Sequence, residues 1–142
     1  MSEFLDSRKS RSLLEAARVA RLATHNPRGG IDVVPCTFAL IDAHTIVTAV
    51  DHKPKRTARL QRLENIRTNP SVTVLVDHYD DDWSALWWVR ARGDAHVVDH
   101  PEPTIIEPLV AKYEQYRDRT PAGPAIVIHV TELTGWSARG DY

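Results

Sequence analysis

The chain has 142 residues, and its 18 lysines and arginines nearly balance its 19 aspartates and glutamates, for a net charge of −1. That length predicts a single domain over residues 1–142, and the near-neutral charge argues against broad nucleic-acid binding. No apolar run approaches the ~20 residues of a membrane span, and the polar N-terminus lacks the apolar core of a secretory signal. The single cysteine is compatible with a reducing compartment, so we expect a cytoplasmic protein without a membrane span.

The N-terminal half of the chain predicts one helix followed by three strands. Asp6 or Ser7 can cap a helix over residues 7–18. The strands that follow are predicted at residues 19–24, 31–40 and 45–50. Short turns rich in Gly, Pro, Asn and Asp separate these strands, so we expect an antiparallel meander.

The C-terminal half predicts two more helices and several strands. Thr57 is a reasonable N-cap for the second helix, and the helical period turns Leu60, Leu63 and Ile66 of this helix inward. Thr104 with Glu107 forms a capping box that opens the third helix, which ends near Arg117. Strands are predicted at residues 72–76, 86–98, 125–130 and 133–138. Gly93 and Asp94 mark a bulge or bend in the longest of them.

These elements predict a fold that is mainly β with peripheral helices, in the α+β class. The count is six or seven mostly antiparallel strands and three helices. A small, nearly closed barrel flanked by the helices fits this order best.

Residues 51–67 form a basic cluster on an otherwise acidic chain. This segment has six basic and two acidic residues, whereas the rest of the chain has twelve basic and seventeen acidic ones. Lys53, Lys55 and Arg56 lie at a strand-to-helix junction, where side-chain donors and free helix amides can meet a phosphate. The alternative is a solvated helix face, since Arg59 and Arg62 lie further along the same helix.

The strand at residues 86–98 contains two adjacent tryptophans. Alternation puts Trp87 on the face that looks like core, whereas Trp88 shares the other face with Arg90 and Arg92. A Trp beside two arginines can bind a flat, anionic molecule by stacking and ion pairing. The same composition is also typical of a subunit interface, and both interpretations can hold at once.

The sequence contains no familiar catalytic array. Cys36 lies in an apolar strand and is expected to be a core residue, and no pair of histidines has zinc-binding spacing. His78 lies in an acidic segment over residues 77–82, which we interpret as a solvated turn and not as a metal site. Any chemistry is therefore expected to belong to a bound cofactor that the protein positions.

Four segments carry a resemblance to a known family when they are taken together and in order. They are the LATxxPxGxxxxxPxxF pattern, the KxKR run, the NPxVxxLVD strand and the DDW…WWVR segment. In this combination the chain resembles the split-barrel proteins related to pyridoxamine-phosphate oxidase and flavin reductases. More narrowly it is similar to their actinobacterial branch that uses coenzyme F-420, a deazaflavin.

The resemblance implies an antiparallel split β-barrel and a homodimer with two cofactor sites at the interface. In such proteins the cofactor's phosphate meets basic residues after the third strand, and its ring lies over the second and third strands while the partner subunit covers it. The resemblance therefore implies three sets of contacts in this chain: Lys53, Lys55, Arg56 and Arg59 at the phosphate; Pro35, Thr37, Thr48 and Ala49 near the ring; Trp88 and Arg90 from the partner. From the spacing of the histidines and acidic residues we expect no metal site.

The leading functional hypothesis is an oxidoreductase in which reduced coenzyme F-420 transfers a hydride to an unsaturated small organic substrate. The extra charges of Arg59 and Arg62 suit the polyanionic tail of coenzyme F-420 better than the single phosphate of flavin mononucleotide (FMN). An FMN-dependent oxidase or reductase is the first alternative, and a non-catalytic cofactor carrier or sensor is the second. The sequence identifies neither the substrate nor a general acid.

Overall fold

The computed structural model of the protein describes residues 3–50 and 56–139; for residue 3 and for residues 56–60 it describes the backbone alone. In this part of the chain there are eight strands and four α-helices. The strands are β1 (Glu3–Leu5), β2 (Ala20–His25), β3 (Ile31–Cys36), β4 (Ala39–Asp42), β5 (Thr45–Ala49), β6 (Ser71–His78), β7 (Trp87–Val98) and β8 (Ala125–Ser137). The helices are α1 (Ser7–Ala16), α2 (Arg56–Thr68), α3 (Pro103–Lys112) and α4 (Glu114–Asp118), and a short 3-10 helix covers Trp83–Ala85.

All the strands join one antiparallel sheet in the order β3-β2-β6-β7-β8-β5-β4, with β1 paired to β8. The two ends of this path, β3 and β4, are separated by only Thr37 and Phe38 in the chain. Two residues span only about 10 Å, so the sheet must curl until its edges lie close together. No ladder joins these two edges in the described strands, which confirms a split, antiparallel barrel with peripheral helices.

The strand predicted over residues 31–40 is two strands in the structure. β3 ends at Cys36 and pairs with β2, whereas β4 begins at Ala39 and pairs with β5. The expectation of a three-strand meander is therefore wrong, because the chain crosses from one sheet edge to the other at Thr37 and Phe38. An apolar run reveals burial and not a change of partner strand.

The long strands β7 and β8 form the most extensive strand pair of the barrel. The predicted irregularity near Gly93 is confirmed, since the register with β8 shifts between Arg92 and Gly93. A side chain at Gly93 would collide with the backbone carbonyl of His129, which explains the glycine there. The two strands predicted over residues 125–138 are the single strand β8, because the shift is absorbed without breaking the ladder.

The helices agree in part with those predicted from the sequence. Asp6 caps α1, where its carboxylate accepts a hydrogen bond from the Lys9 amide at 2.8 Å. Helix α2 begins at Arg56, so Thr57 lies inside its first turn instead of before it. The predicted capping box at Thr104 is wrong, because α3 begins after Glu102, with a proline at its first position and no side-chain cap.

The third predicted helix is also interrupted. Tyr113 has an extended backbone (φ −117°, ψ 121°) and separates α3 from α4. Its hydroxyl accepts a hydrogen bond from the Phe38 amide at 3.2 Å and lies 2.9 Å from the Arg18 carbonyl and 3.1 Å from the Phe38 carbonyl. These long-range contacts hold Tyr113 in place and break the helix that local propensity favours.

Two apolar clusters stabilise the barrel. The larger fills its interior and includes Leu22, Val74, Val89 and Ile128. The second packs α3 against β4 and β5. No described helix is long and apolar enough to cross a membrane.

Candidate functional site

One face of the sheet presents a mixed apolar and cationic surface to the outside of the barrel. Alternation along β2, β6 and β7 buries one set of side chains and exposes the other. Strand pairing aligns the exposed set in rows that run across the strands, and we call this surface the outer face. One row contains Pro35, Arg21, Leu75, Arg90 and Thr134 in that order.

A second row of the outer face is aromatic. Phe4 pairs with Trp136, Trp136 with Trp88, and Trp88 with Asp77. Trp87 points the opposite way and packs against the core, as the alternation predicts. The Trp88 indole therefore lies on the same surface as the arginine row and one row away from it.

The Arg90 guanidinium lies over the Trp88 ring, with its central carbon 5.4 Å from the ring centroid. The Nε atom of Arg90 is buried and has no hydrogen-bond partner among the described residues. Further along the strand, Arg92 pairs with Glu132 at 3.1 Å. Two arginines on the same face of β7 thus differ, since Arg92 has an acidic partner and Arg90 has an aromatic one.

A cavity of about 510 Å³ opens on the outer face, and we call it the outer cavity. Its wall combines apolar and aromatic side chains with two arginines and one aspartate. The lining residues are Arg21, Ala23, Val33, Thr73, Leu75, Asp77, Trp88 and Arg90. The volume lies in the range of small-molecule sites, and the wall has the few convergent polar groups that such sites use.

A second cavity of about 530 Å³ lies between β3 and α2, and we call it the helix cavity. Gln61 and Arg62 line it from α2, and Val33 is shared with the outer cavity. The remaining lining residues are Thr24, Asn26, Ile31, Asp32 and Val34. Because β3 is an edge strand, this cavity lies beside the split of the barrel.

A buried polar network supports the wall of the helix cavity. Asn65 of α2 is fully buried, and its amide nitrogen donates to Thr24 Oγ1 at 2.9 Å and to Asp32 Oδ2 at 2.8 Å. The same Asp32 oxygen accepts from Asn26 Nδ2 at 3.0 Å, and Gln61 Nε2 donates to Asn65 Oδ1 at 2.8 Å. The network fixes α2 against the β2–β3 hairpin.

The residues expected near a cofactor ring separate into two environments. Pro35 lies on the outer face, in the same row as Arg90 and three strands away, which corresponds to about 14 Å. Thr48 and Ala49 are buried, and Thr48 donates to the Thr37 carbonyl at 2.7 Å. The Thr37 hydroxyl lies 2.7 Å from the Tyr116 hydroxyl. Pro35 therefore shares a surface with Trp88 and Arg90, whereas Thr48 and Ala49 do not.

The residues expected at a phosphate fall largely outside the described structure. Lys53 and Lys55 lie outside the described residues. Arg56 and Arg59 belong to α2, but their side chains are not described. Their role in phosphate binding stays a prediction, with α2 beginning directly after the basic run.

Cys36 is partly buried against the core. Burial raises the pKa of its thiol, although a hydrogen bond with Thr48 and the charge of Arg62 lower it. The thiol is therefore held mainly neutral, which suits a packing role better than that of a nucleophile. Among residues 3–50 and 56–139, no three His, Cys, Asp or Glu side chains form a group that could hold a metal ion.

Lys112 lies in an environment that sequence reasoning did not find. Its Nζ is 3.9 Å from the Phe38 ring centroid, is buried, and has no hydrogen-bond partner among the described residues. Burial, followed by the charge of Arg18, lowers the pKa of Lys112 to about 8, against an opposing effect of Glu15. In the sequence Lys112 looks like an ordinary last-turn lysine of a helix, so only the tertiary contacts reveal it.

Arg21 and Asn65 were also not predicted as site residues. Arg21 reaches the arginine row only through the pairing of β2 with β6, which the sequence does not specify. Asn65 lies between Leu63 and Ile66, which are both buried as predicted. An asparagine on the inward side of an amphipathic helix was therefore the sequence feature that could have indicated a buried polar network.

Comparisons with known proteins agree with this architecture. A conserved hypothetical protein from Mycobacterium tuberculosis has a similar structure, with a TM-score of 0.76 and 20% identity over 96% of this chain and 87% of that one. A FAD-binding protein from Mesorhizobium loti matches with a TM-score of 0.66 and 20% identity over 96% of each chain. A FAD-binding protein from Mycobacterium smegmatis matches with a TM-score of 0.61 and 17% identity over 96% of this chain and 97% of that one.

At these identities the structural likeness establishes the fold alone. No curated protein gives a sequence match. The pattern that defines the pyridoxamine 5'-phosphate oxidase family matches residues 7–137, which include all of the sheet except β1. The chain therefore belongs to the pyridoxamine 5'-phosphate oxidase family.

Proposed function

We propose that the chain is a cytoplasmic, homodimeric oxidoreductase in which reduced coenzyme F-420 transfers a hydride to an unsaturated small organic substrate. The observation that carries this proposal is the pair of cavities, about 530 and 510 Å³, that meet at Val33. A redox enzyme of this kind must hold two planar molecules next to each other. We assign the helix cavity to the cofactor and the outer cavity to the substrate.

The groups that line the helix cavity fit a polyanionic cofactor with a polar ring. Arg62 contributes a cation from α2, and the helix begins directly after the basic run that contains Lys53 and Lys55. At the other wall, Asn26 and Asp32 hydrogen-bond each other and Asp32 accepts from Asn65, so these side chains fix the shape of the wall. Phosphate and carboxylate groups would lie along α2, where guanidinium groups form charge-assisted hydrogen bonds.

The bound coenzyme would supply the hydride, and the chain would supply position and environment. The network around Asn65 fixes the wall of the helix cavity, so little reorganisation would be needed when the cofactor binds. Apolar side chains at the shared wall would exclude water from the contact between cofactor and substrate. The chain's own contribution is therefore orientation and desolvation, and no side chain is assigned as the general acid.

The outer face supports the proposed dimer. Ile31 and Val33 are 63% and 59% exposed, and Leu75 of the same face is 36% exposed. Exposed β-branched residues at a sheet edge, beside Trp and Arg, are typical of a subunit interface. In the dimer, Trp88 and Arg90 of one protomer would cover the cofactor of the other, and the outer cavity that they line would stay open between the two protomers for the substrate.

A flavin is the alternative cofactor, because two structural relatives are described as FAD-binding proteins. Titration of the purified protein with coenzyme F-420, with FMN and with FAD separates the deazaflavin from the flavins. We expect coenzyme F-420 to bind more tightly, and Lys55→Ala and Arg56→Ala each to weaken that binding tenfold or more, because a charge-assisted contact contributes ~1.5–3 kcal/mol.

Arg67→Ala is the matched control for these variants. Arg67 lies at the far end of α2 and pairs with Asp99 at 2.7 Å, so its loss should leave the affinity unchanged. Equal affinities of the wild type and a Lys55→Ala, Arg56→Ala double variant would remove the phosphate from this junction. A steady-state assay with reduced coenzyme and a panel of acceptors tests catalysis: tight binding without turnover of any acceptor would identify a carrier or sensor.

A further inference from the structure

Arg21 and Arg90 of the outer cavity have no acidic partner among the described residues. In that part of the chain, neither of them takes part in an ion pair or a side-chain hydrogen bond. Asp77, the one acid among the described residues that line the cavity, lies in the aromatic row and makes no ion pair with either arginine. The described lining of the outer cavity thus combines two cations without acidic partners and one anion.

The arginines are placed so that they can converge on one group. Both pair with Leu75, Arg21 from β2 and Arg90 from β7, so their Cα atoms lie about 10 Å apart. Two long side chains that approach from opposite sides can hold a single carboxylate between them. The buried Nε of Arg90, which has no acceptor, is the donor that such a carboxylate would satisfy.

Apart from Thr73 and Asp77, the rest of the lining is apolar or aromatic. Ala23, Val33 and Leu75, together with Trp88 beside the Arg90 guanidinium, offer an apolar surface that an aromatic ring can contact. Asp77, which pairs with Trp88, repels a second negative group at that end of the cavity. The charge of the preferred ligand is therefore expected at one end only.

We propose that the outer cavity binds a planar aromatic monocarboxylate, with the ring on Trp88 and the carboxylate between Arg21 and Arg90. The claim that such a molecule is the substrate rests on the proposed function. The claim that the cavity binds such a molecule does not, because the arginines and the tryptophan are present without any cofactor.

The test compares 2-naphthoate with the neutral 2-naphthamide by calorimetric titration of the full, cofactor-free chain. We expect naphthoate to bind at least tenfold more tightly than naphthamide. Arg90→Gln and Arg21→Gln should each weaken naphthoate binding about tenfold and leave naphthamide binding unchanged. Arg92→Gln is the matched control, since Arg92 lies on the same face of the same strand but is paired with Glu132.

The ring contact is tested separately. Trp88→Leu should weaken the binding of both probes, whereas Trp83→Leu, in the exposed 3-10 helix, should weaken neither. Circular dichroism of each variant shows whether the fold is retained, and the arginine variants test the inference even if Trp88→Leu does not fold.

Equal affinities for naphthoate and naphthamide, or an equal effect of Arg92→Gln and Arg90→Gln, would overturn the inference. Loss of naphthoate binding at protein concentrations where light scattering shows dimers would also overturn the inference, because a second copy would then fill the cavity. If naphthoate binds as expected but neither cofactor does, the proposed function fails and this site stands. If the loaded enzyme reduces neutral acceptors and naphthoate does not bind, this inference alone fails.

Discussion

Thr48 donates its hydroxyl hydrogen bond to the backbone carbonyl of Thr37 across 2.7 Å, and this bond ties β5 to the crossing between β3 and β4. Thr37 lies where the chain passes from one sheet edge to the other. Thr48 itself is only 1% exposed, so its hydroxyl cannot turn to water instead. The bond is thus one of the contacts that hold the split edges of the barrel together.

Thr48→Val should lower the free energy of unfolding by about 1–3 kcal/mol, because it keeps the shape of the side chain but leaves the Thr37 carbonyl without its donor and the Cys36 thiol without its hydroxyl partner. Denaturant unfolding measures this. Thr73→Val is the control: Thr73 is half-buried on β6 and makes no side-chain hydrogen bond among the described residues, so its change should be within about 0.5 kcal/mol. Equal effects of the two variants would show that the bond to Thr37 is not stabilising.

Asn65→Leu should destabilise the protein more strongly. The substitution removes two donated bonds and one accepted bond from a fully buried position, and it leaves the Asp32 carboxylate with fewer donors. We expect a loss of roughly 3 kcal/mol or more, since several buried polar groups lose partners together. Asn69→Ala, which breaks one exposed bond to the Ser71 amide just beyond the same helix, should cost less than about 1 kcal/mol.

The same network shows where sequence reasoning succeeds and where it stops. The helical period correctly placed Leu63 and Ile66 inward, and strand alternation correctly placed Trp88 and Arg90 on one face, because both depend only on local geometry. Which strands pair is decided by distant parts of the chain. The residue patterns predicted a nearly closed barrel and the family resemblance a split one, but neither predicted the row that brings Arg21 towards Arg90.

The errors share that cause. The prediction of a single strand over residues 31–40 is wrong at Phe38, which is buried between two sheet edges. The prediction of a single helix over residues 104–117 is wrong at Tyr113, whose hydroxyl contacts the backbone about 75 residues away. Strand β1 was missed because three residues are too short for a pattern and depend on β8. For the phosphate contacts, Lys53 and Lys55 remain predictions from the sequence.

Lys112 should make stability depend on pH in alkaline solution. Its pKa is about 8 in the folded chain against 10.5 ordinarily, so between these values the unfolded chain binds more protons. The contribution of Lys112 to the free energy of unfolding therefore rises as pH increases from 8 to 10.5, and the penalty for burying the charge is fully present below pH 8. The contact with the Phe38 ring favours the charged form and opposes this effect.

Comparison with Lys112→Met isolates that contribution, because methionine keeps most of the packing on Phe38 without a charge. We expect the wild type to gain stability relative to this variant between pH 7.5 and pH 10, by denaturant unfolding at each pH. Lys9→Met, at an exposed position on α1, should show no such trend. A constant difference across the range would mean that the aromatic contact offsets the burial of the ammonium group.

Val33→Glu tests the proposed dimer and the shared wall together. Val33 is 59% exposed on an edge strand, so a carboxylate there is tolerated in a monomer, whereas an interface would have to bury it without a partner. We expect light scattering to give twice the chain mass for the wild type at micromolar concentration and a shift towards monomer for the variant. Trp83→Glu, which changes a more exposed side chain that lines neither cavity, should leave the dimer intact.

Cofactor affinity in the same two variants then shows whether the partner subunit completes the site. If it does, Val33→Glu should weaken cofactor binding at protein concentrations where the variant is monomeric, and higher protein concentration should restore part of it by mass action. The concentration dependence is the informative readout, because Val33 also lines both cavities and could affect a ligand directly. A monomeric variant with unchanged affinity would place the whole cofactor site within one chain, and the outer face would then have to be assigned to the substrate alone.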